Sequence, residues 1–137
     1  MRALIDLNVV LDVLIRREPH FERSAAVWRL VEDGRVDGLL AAHSFTTLFY
    51  LYARQSSRER AVLAMHQLMR VFGVAAVDRT VLEDALSYHW TDFEDAVQMA
   101  AAERAGCEYL VTRNAGDFKP AVVSVIQPAD FLAIVEG

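Results

Sequence analysis

Five short apolar runs, separated by stretches with helical spacing, limit this chain more than any other feature. They are residues 2–5 (Arg-Ala-Leu-Ile), 38–42 (Gly-Leu-Leu-Ala-Ala), 71–77 (Val-Phe-Gly-Val-Ala-Ala-Val), 109–112 (Tyr-Leu-Val-Thr) and 122–126 (Val-Val-Ser-Val-Ile). Each has the length of a buried strand and falls short of a helix. The segments between them carry apolar residues three and four apart. Val9, Leu11, Val13 and Leu14 follow a candidate cap at Asn8, and Phe21, Ala25, Val27, Trp28 and Val31 share one face of 21–33. An aromatic-rich helix is predicted over Phe45–Ala53 behind a Ser44 cap, and another over Arg58–Arg70. Asp78 is placed to cap a helix reaching about His89, Thr91–Arg104 forms a helix ended by Gly106, and Pro128 opens a short last one. Pro19 separates the first two helices. Strands alternating with helices predict an α/β fold with a mainly parallel sheet of about five strands and helices on both faces.

The 137 residues suit a single domain spanning 1–137. With 54% hydrophobic and 24% charged residues the chain has material for a core and is no candidate for disorder. No apolar run approaches the roughly 18 residues of a membrane span, and Asp6 interrupts the start too early for a secretory leader, so the expected compartment is the cytoplasm. Cys107 is the only cysteine, which excludes an intramolecular disulfide and a cysteine zinc site and suggests a buried thiol. Glycine-rich phosphate loops are absent, which argues against an NTPase or a dinucleotide enzyme.

In open α/β sheets the reactive groups lie beyond the carboxyl ends of the strands. That rule selects Asp6, the Ser44 region, the Thr91–Asp95 turn and the Thr112–Asp117 loop. Asp6 stands between a buried strand and an apolar helix, a costly place for a carboxylate unless it is paired or metal-bound. Asp95 enters a helix that is otherwise almost wholly apolar, and Asp117 follows Asn114 in a short loop. Hard cations such as Mg²⁺ and Mn²⁺ take a few carboxylates plus waters and substrate phosphates. Two of them can activate a water and stabilise a leaving oxygen. Each acid also has a plain structural reading. Thr91-Asp92-Phe93-Glu94 fits a capping box with Thr91 as cap, Asp92 or Asp95 fits a similar arrangement, and loops are rich in Asp. His20, His43, His66 and His89 show no metal-ligand spacing, with His43 nearest the selected edge.

Three segments resemble the PIN-domain family. Ala3-Leu4-Ile5-Asp6-Leu7-Asn8 is similar to its opening, a hydrophobic strand running into Asp-x-Asn and a helix. Thr91-Asp92-Phe93-Glu94-Asp95-Ala96-Val97-Gln98 resembles the third motif of one subgroup, and Tyr109-Leu110-Val111-Thr112-Arg113-Asn114-Ala115-Gly116-Asp117-Phe118 resembles the fourth. The resemblance spans nearly the whole chain. It implies a Rossmann-like, three-layer α/β fold and an acidic pocket for Mg²⁺ or Mn²⁺. It also implies endoribonuclease activity of the kind found in VapC-type toxins, which a small antitoxin silences and which are often homodimers. Carried over residue by residue, Asp6, Asp95 and Asp117 match the metal acids, Asp92 a further acid of the subgroup, and Asn8 and Asn114 polar positions beside the site. Thr112 and Arg113 flank it, and Thr46 offers a nearby hydroxyl. The chain departs from the family in one respect. Most PIN domains carry a glutamate in the helix after the second strand, whereas Ala42–Gln55 contains no acid. Either Asp92 or Glu94 supplies that charge from another direction, or the site holds one metal, or it is catalytically weak.

The net charge of −5 opposes nucleic-acid binding, which usually uses a basic face. Two bound Mg²⁺ would reduce it to −1, and 13 of the 14 basic residues are Arg, suited to phosphate. Arg113 is the arginine nearest the selected edge. The leading expectation is a metal-dependent endoribonuclease acting as the toxin of a type II toxin–antitoxin pair, with RNA as substrate. The alternative is a catalytically weak PIN-like module that binds RNA or protein. A phosphatase using Asp6 as nucleophile would need a second acid at position 8, which is Asn.

Overall fold

A computed structural model describes residues 1–119 and 123–137. The strands are β1 (Arg2–Ile5), β2 (Asp37–Ala41), β3 (Gly73–Ala75), β4 (Tyr109–Val111) and β5 (Ser124–Ile126). They form one five-stranded sheet in the order β3-β2-β1-β4-β5. Every pairing is parallel, with Ala3 opposite Gly38 on one side and Tyr109 on the other. Parallel neighbours require crossovers. These are supplied by α1 (Leu7–Leu14), α2 (Phe21–Glu32), α3 (Ala42–Gln55), α4 (Arg58–Val71), α5 (Arg79–Ser87) and α6 (Phe93–Arg104), and α7 (Pro128–Glu136) follows the last strand. The α/β architecture is the one the alternating pattern predicts. No helix among the described residues is long and apolar enough to cross a membrane.

The two-residue period of the strands divides the core. Ala3, Ile5, Leu40 and Val111 pack with Val9, Val27, Leu48, Leu68 and Phe131, so α1, α2, α3, α4 and α7 cover one face. Leu4, Leu39, Ala41 and Leu110 pack with Val81, Ala85 and the run Ala96–Ala102, so α5 and α6 cover the other. Phe131 is completely buried, edge-on to Tyr109 with ring centres 5.8 Å apart; a side chain of this kind contributes roughly 2–3 kcal/mol by leaving water. Helix α2 lies so close to β2 that a Cβ on Gly38 would meet Val31 Cγ2 at 2.5 Å.

Several boundaries differ from the sequence expectation. The run 71–77 yields only a three-residue strand, because Val71 ends α4 and β2 offers no partner beyond Ala41, which pairs Ala75. Neither Asn8 nor Ser44 caps a helix. The chain turns directly from β1 and β2 into α1 and α3, with Asp6 and Ala41 at the cap positions and no side-chain cap bond at either. Ser44 is buried inside the first turn of α3. At α6 the cap is Asp92 rather than Thr91, its Oδ1 accepting from the Asp95 N–H at 3.1 Å. Asp78 caps α5 as expected, accepting from the Val81 N–H at 3.0 Å, and Gly106 takes a left-handed φ of 73° just past the end of α6. Of the fifth run, Val122 lies outside the described residues and the strand is Ser124–Ile126.

Candidate active site

The strand order reverses between β1 and β4. The chain builds β1, β2 and β3 outward in one direction, then returns through α5 and α6 to place β4 on the far side of β1. A crevice opens at such a switch point beyond the carboxyl ends of the two strands. Asp6 and Thr112 are the residues immediately past those ends. The Asp6 N–H donates to the Val111 carbonyl at 2.9 Å, so the two ends are tied together. Strand alternation turns Asp6 toward the Leu4 side of the sheet, where α6 packs.

Asp6 is 4% exposed. Its Oδ1 accepts from Gln98 Nε2 at 3.0 Å and its Oδ2 from Thr112 Oγ1 at 2.8 Å. Thr112 Oγ1 in turn accepts from the Asn114 N–H at 3.1 Å. Both donors to Asp6 are neutral, so they orient the carboxylate without cancelling its charge. Each oxygen retains a second lone pair.

Asp95 lies in the first turn of α6, where the helix dipole favours the ionised carboxylate. Its carboxyl is nevertheless pushed up to about 6, first by burial and then by the charges of Asp92, Asp6, Glu94 and Asp117. Burial and the neighbouring acids thus work together to hold the proton on Asp95, and a capping role alone does not account for this arrangement. A cavity of about 270 Å³ is lined by Trp90, Thr91, Asp92, Asp95, Asp117 and Lys119. The Trp90 ring forms a wall of it, packed against Tyr88 at 5.4 Å and Phe118 at 6.0 Å between ring centres.

The donor chemistry fits a hard divalent cation: carboxylates just past β1, on α6 and in the loop after β4 act together on Asp95, and polar atoms of α3 and α6 lack partners. Gln98 Oε1, both ring nitrogens of His43 and Ser44 Oγ are buried with no hydrogen-bond partner among the described residues. The same residues offer no group of three or more acids, histidines or cysteines tight enough to enclose an ion unaided. Mg²⁺ does not require one, since it keeps several waters and binds through one or two carboxylates with substrate phosphates.

The sequence pattern described as the PIN domain matches residues 2–116, from β1 to the loop after β4. The chain belongs to the PIN-domain family. Members of this family are in general nucleases. Solved PIN proteins share the fold at low identity. A toxin–antitoxin complex from Klebsiella pneumoniae aligns over 92% of this chain and 97% of its own, with 19% identity and a TM-score of 0.70. VapBC2 from Rickettsia felis, bound to a fragment of promoter DNA, aligns over 93% and 98% with 10% identity and a TM-score of 0.70. Mycobacterium tuberculosis VapC20, a toxin cleaving the sarcin–ricin loop, aligns over 79% and 86% with 16% identity and a TM-score of 0.63. No curated protein sequence matches the chain.

Within the PIN fold the remaining candidate residues take varied positions. Asn8 is half-buried in the first turn of α1. Thr46 is exposed, and its hydroxyl donates to the His43 carbonyl of its own helix at 2.8 Å. Asn114 and Asp117 are exposed in and beside a single 3-10 turn, Ala115–Asp117. Arg113 faces inward and grips Asp12. Helix α3, which lacks the usual glutamate, presents His43 and the buried Ser44 from its first turn. Burial lowers the His43 pKa, opposed by the charges of Glu94 and Asp6. Sequence reading passed over Gln98 and Asp12. The signal for Gln98 was its place as the lone polar residue in the run Ala96–Ala102, and for Asp12 its place among Val9, Val10, Leu11 and Val13.

Proposed function

We propose that this PIN domain is a metal-dependent endoribonuclease and serves as the toxin of a type II toxin–antitoxin pair. One observation carries the reading: Asp92, Asp95 and Asp117 line one cavity, where burial and the charges of Asp92, Asp6, Glu94 and Asp117 push Asp95 up to about 6. Asp6, Asp95 and Asp117 are the residues that would hold Mg²⁺ or Mn²⁺, with Asp92 beside them. When bound, the ion supplies positive charge and Lewis acidity toward a phosphodiester. The chain supplies orientation. Gln98 and Thr112 hold the Asp6 carboxylate in one rotamer, Asp92 fixes the start of α6 and hence Asp95, and Trp90, backed by Phe118, keeps one wall of the cavity apolar. Solved relatives that are toxin–antitoxin complexes support an antitoxin as partner of this chain, and the homodimer and cytoplasmic location go with the same reading.

The test incubates antitoxin-free protein with mixed RNA in Mn²⁺ or Mg²⁺ and in EDTA, beside Asp6→Asn and Asp95→Asn. Cleavage is expected only with metal and only in the wild type. A folded, inhibitor-free protein that cleaves nothing under either metal sinks the proposal. The absence of an acid in Ala42–Gln55 would then favour a PIN module that only binds.

A further inference from the structure

We propose that Asp12 and Arg113 are positioning residues, whose buried ion pair sets the loop that carries Asn114 and Asp117 to the acid cluster. The proposal deepens the nuclease reading and rests on it for the cluster's purpose, though not for the loop's geometry. Asp12 projects from the last turns of α1 and is completely buried. Arg113 Nε donates to its Oδ2 at 2.8 Å and Nη2 to its Oδ1 at 3.2 Å, a two-pronged grip. Ser24 of α2 donates to Oδ2 at 3.0 Å, and Arg17 Nη1 stands 3.7 Å from Oδ1. The carboxylate is therefore fully satisfied, and three separate parts of the chain meet on it.

A buried ion pair is a poor device for stability alone, since apolar side chains of the same volume do as well or better. Its distinctive property is direction. The planar guanidinium fork meets a carboxylate in one geometry, so the pair fixes where Arg113 sits and how its backbone is turned. The neighbouring bonds show why this matters. Thr112 is held by Asp6, and Arg113, the next residue, is held by Asp12. Two acids at opposite ends of one short helix thus pin consecutive residues at the start of the loop. At its far end Phe118 is buried against Trp90. Between these anchors Asp117 is exposed, and its N–H donates only within the turn, to the Asn114 carbonyl at 2.9 Å. Among the described contacts, the place of Asp117 relative to Asp6 follows from these anchors, and of the two polar ones Arg113 is held by an acid outside the cluster.

The test compares wild type with Asp12→Asn, Arg113→Lys and the neutral double variant Asp12→Asn/Arg113→Gln. Backbone hydrogen exchange over 112–118 should quicken roughly tenfold or more in the variants while β1 and β2 stay protected. On RNA, kcat should fall about 10–100-fold with KM nearly unchanged, the scale on which supporting residues act. Arg113→Lys keeps the charge and loses the fork, so it should be impaired alike. Full kcat in Arg113→Lys, or unaltered exchange in all variants, would overturn the proposal. So would a raised KM with the salt slope reduced by about one in the double variant but not in Asp12→Asn, which marks direct contact of Arg113 with a phosphate. If Asp12→Asn does not fold, Arg113→Lys carries the test. If the wild type cleaves no RNA, the nuclease reading falls and the exchange data alone decide whether the pair sets the loop.

Discussion

Replacing Asp95 by Asn should make the cation-free protein more stable, although it removes a residue of the candidate site. The carboxyl is raised from 3.8 to about 6 by burial and by Asp92, Asp6, Glu94 and Asp117. Two units correspond to roughly 3 kcal/mol at about 1.4 kcal/mol each. Solvent reaches part of the side chain and screens these charges, and the dipole interaction lost with the charge works the other way, leaving about 1 kcal/mol. The sign follows from proton binding. Below 3.8 the group is protonated in both folded and unfolded chains and costs nothing. Between 3.8 and about 6 the folded chain holds the proton more tightly, so stability falls as pH rises. Above about 6 the penalty is complete. Thermal unfolding in EDTA should therefore show Asp95→Asn melting roughly 4 °C higher at pH 7.5, with the gap closing as pH approaches 3.8. Mn²⁺ should reverse the order, since a ligand at a hundred times its Kd stabilises by about 2.7 kcal/mol and the variant binds it less well. A variant less stable than wild type at pH 7.5 in EDTA would refute the reasoning, and would mean that Asp95 is there for its helix.

Two further outcomes follow from the same neighbourhood. Thr112→Val deletes the donor to Asp6 Oδ2 and the acceptor of the Asn114 N–H, and should lower unfolding free energy in urea by about 1–3 kcal/mol; an unchanged midpoint would show that water replaces both bonds freely. For His43, burial should win over the pull of Glu94 and Asp6, giving an imidazole NMR titration midpoint below 6.5. Its folded pKa is depressed, so its contribution to stability is lost as pH falls below 6.5, opposite in sign to that of Asp95. A midpoint above 6.5 would mean that the carboxylates dominate.

The sequence discloses what depends on neighbours a few residues apart. The apolar runs Ala3–Ile5 and Ala96–Ala102 are local patterns, and both became elements of the core. The caps expected at Asn8 and Ser44 were misplaced because β1 and β2 bend straight into helices through the backbone alone, with no capping side chain to mark the turn. At α6 a carboxylate does mark the start, one residue later than the threonine that also fits the pattern. The contacts that build the site lie beyond any local pattern. Gln98 reaches Asp6 across 92 positions and Arg113 reaches Asp12 across 101. Only the strand order β3-β2-β1-β4-β5, set by packing between distant helices, brings them together.

The contrast between the two buried acids of the first helical segment separates structural charge from available charge. Asp12 and Asp6 are six residues apart and are both nearly inaccessible. Asp12 is met by Arg113 and Arg17, so its charge is cancelled where it lies. Asp6 is met by an amide and a hydroxyl, which fix its direction and leave its charge intact. Among the described residues none of Asp6, Asp92, Glu94, Asp95 and Asp117 forms an ion pair, in a chain where Arg2, Arg17, Arg79, Arg104 and Arg113 each hold an acid elsewhere. A fold that neutralises Asp12 with an arginine 101 positions away, yet leaves Asp95 among unpaired carboxylates, supports a cation from outside the chain as their partner.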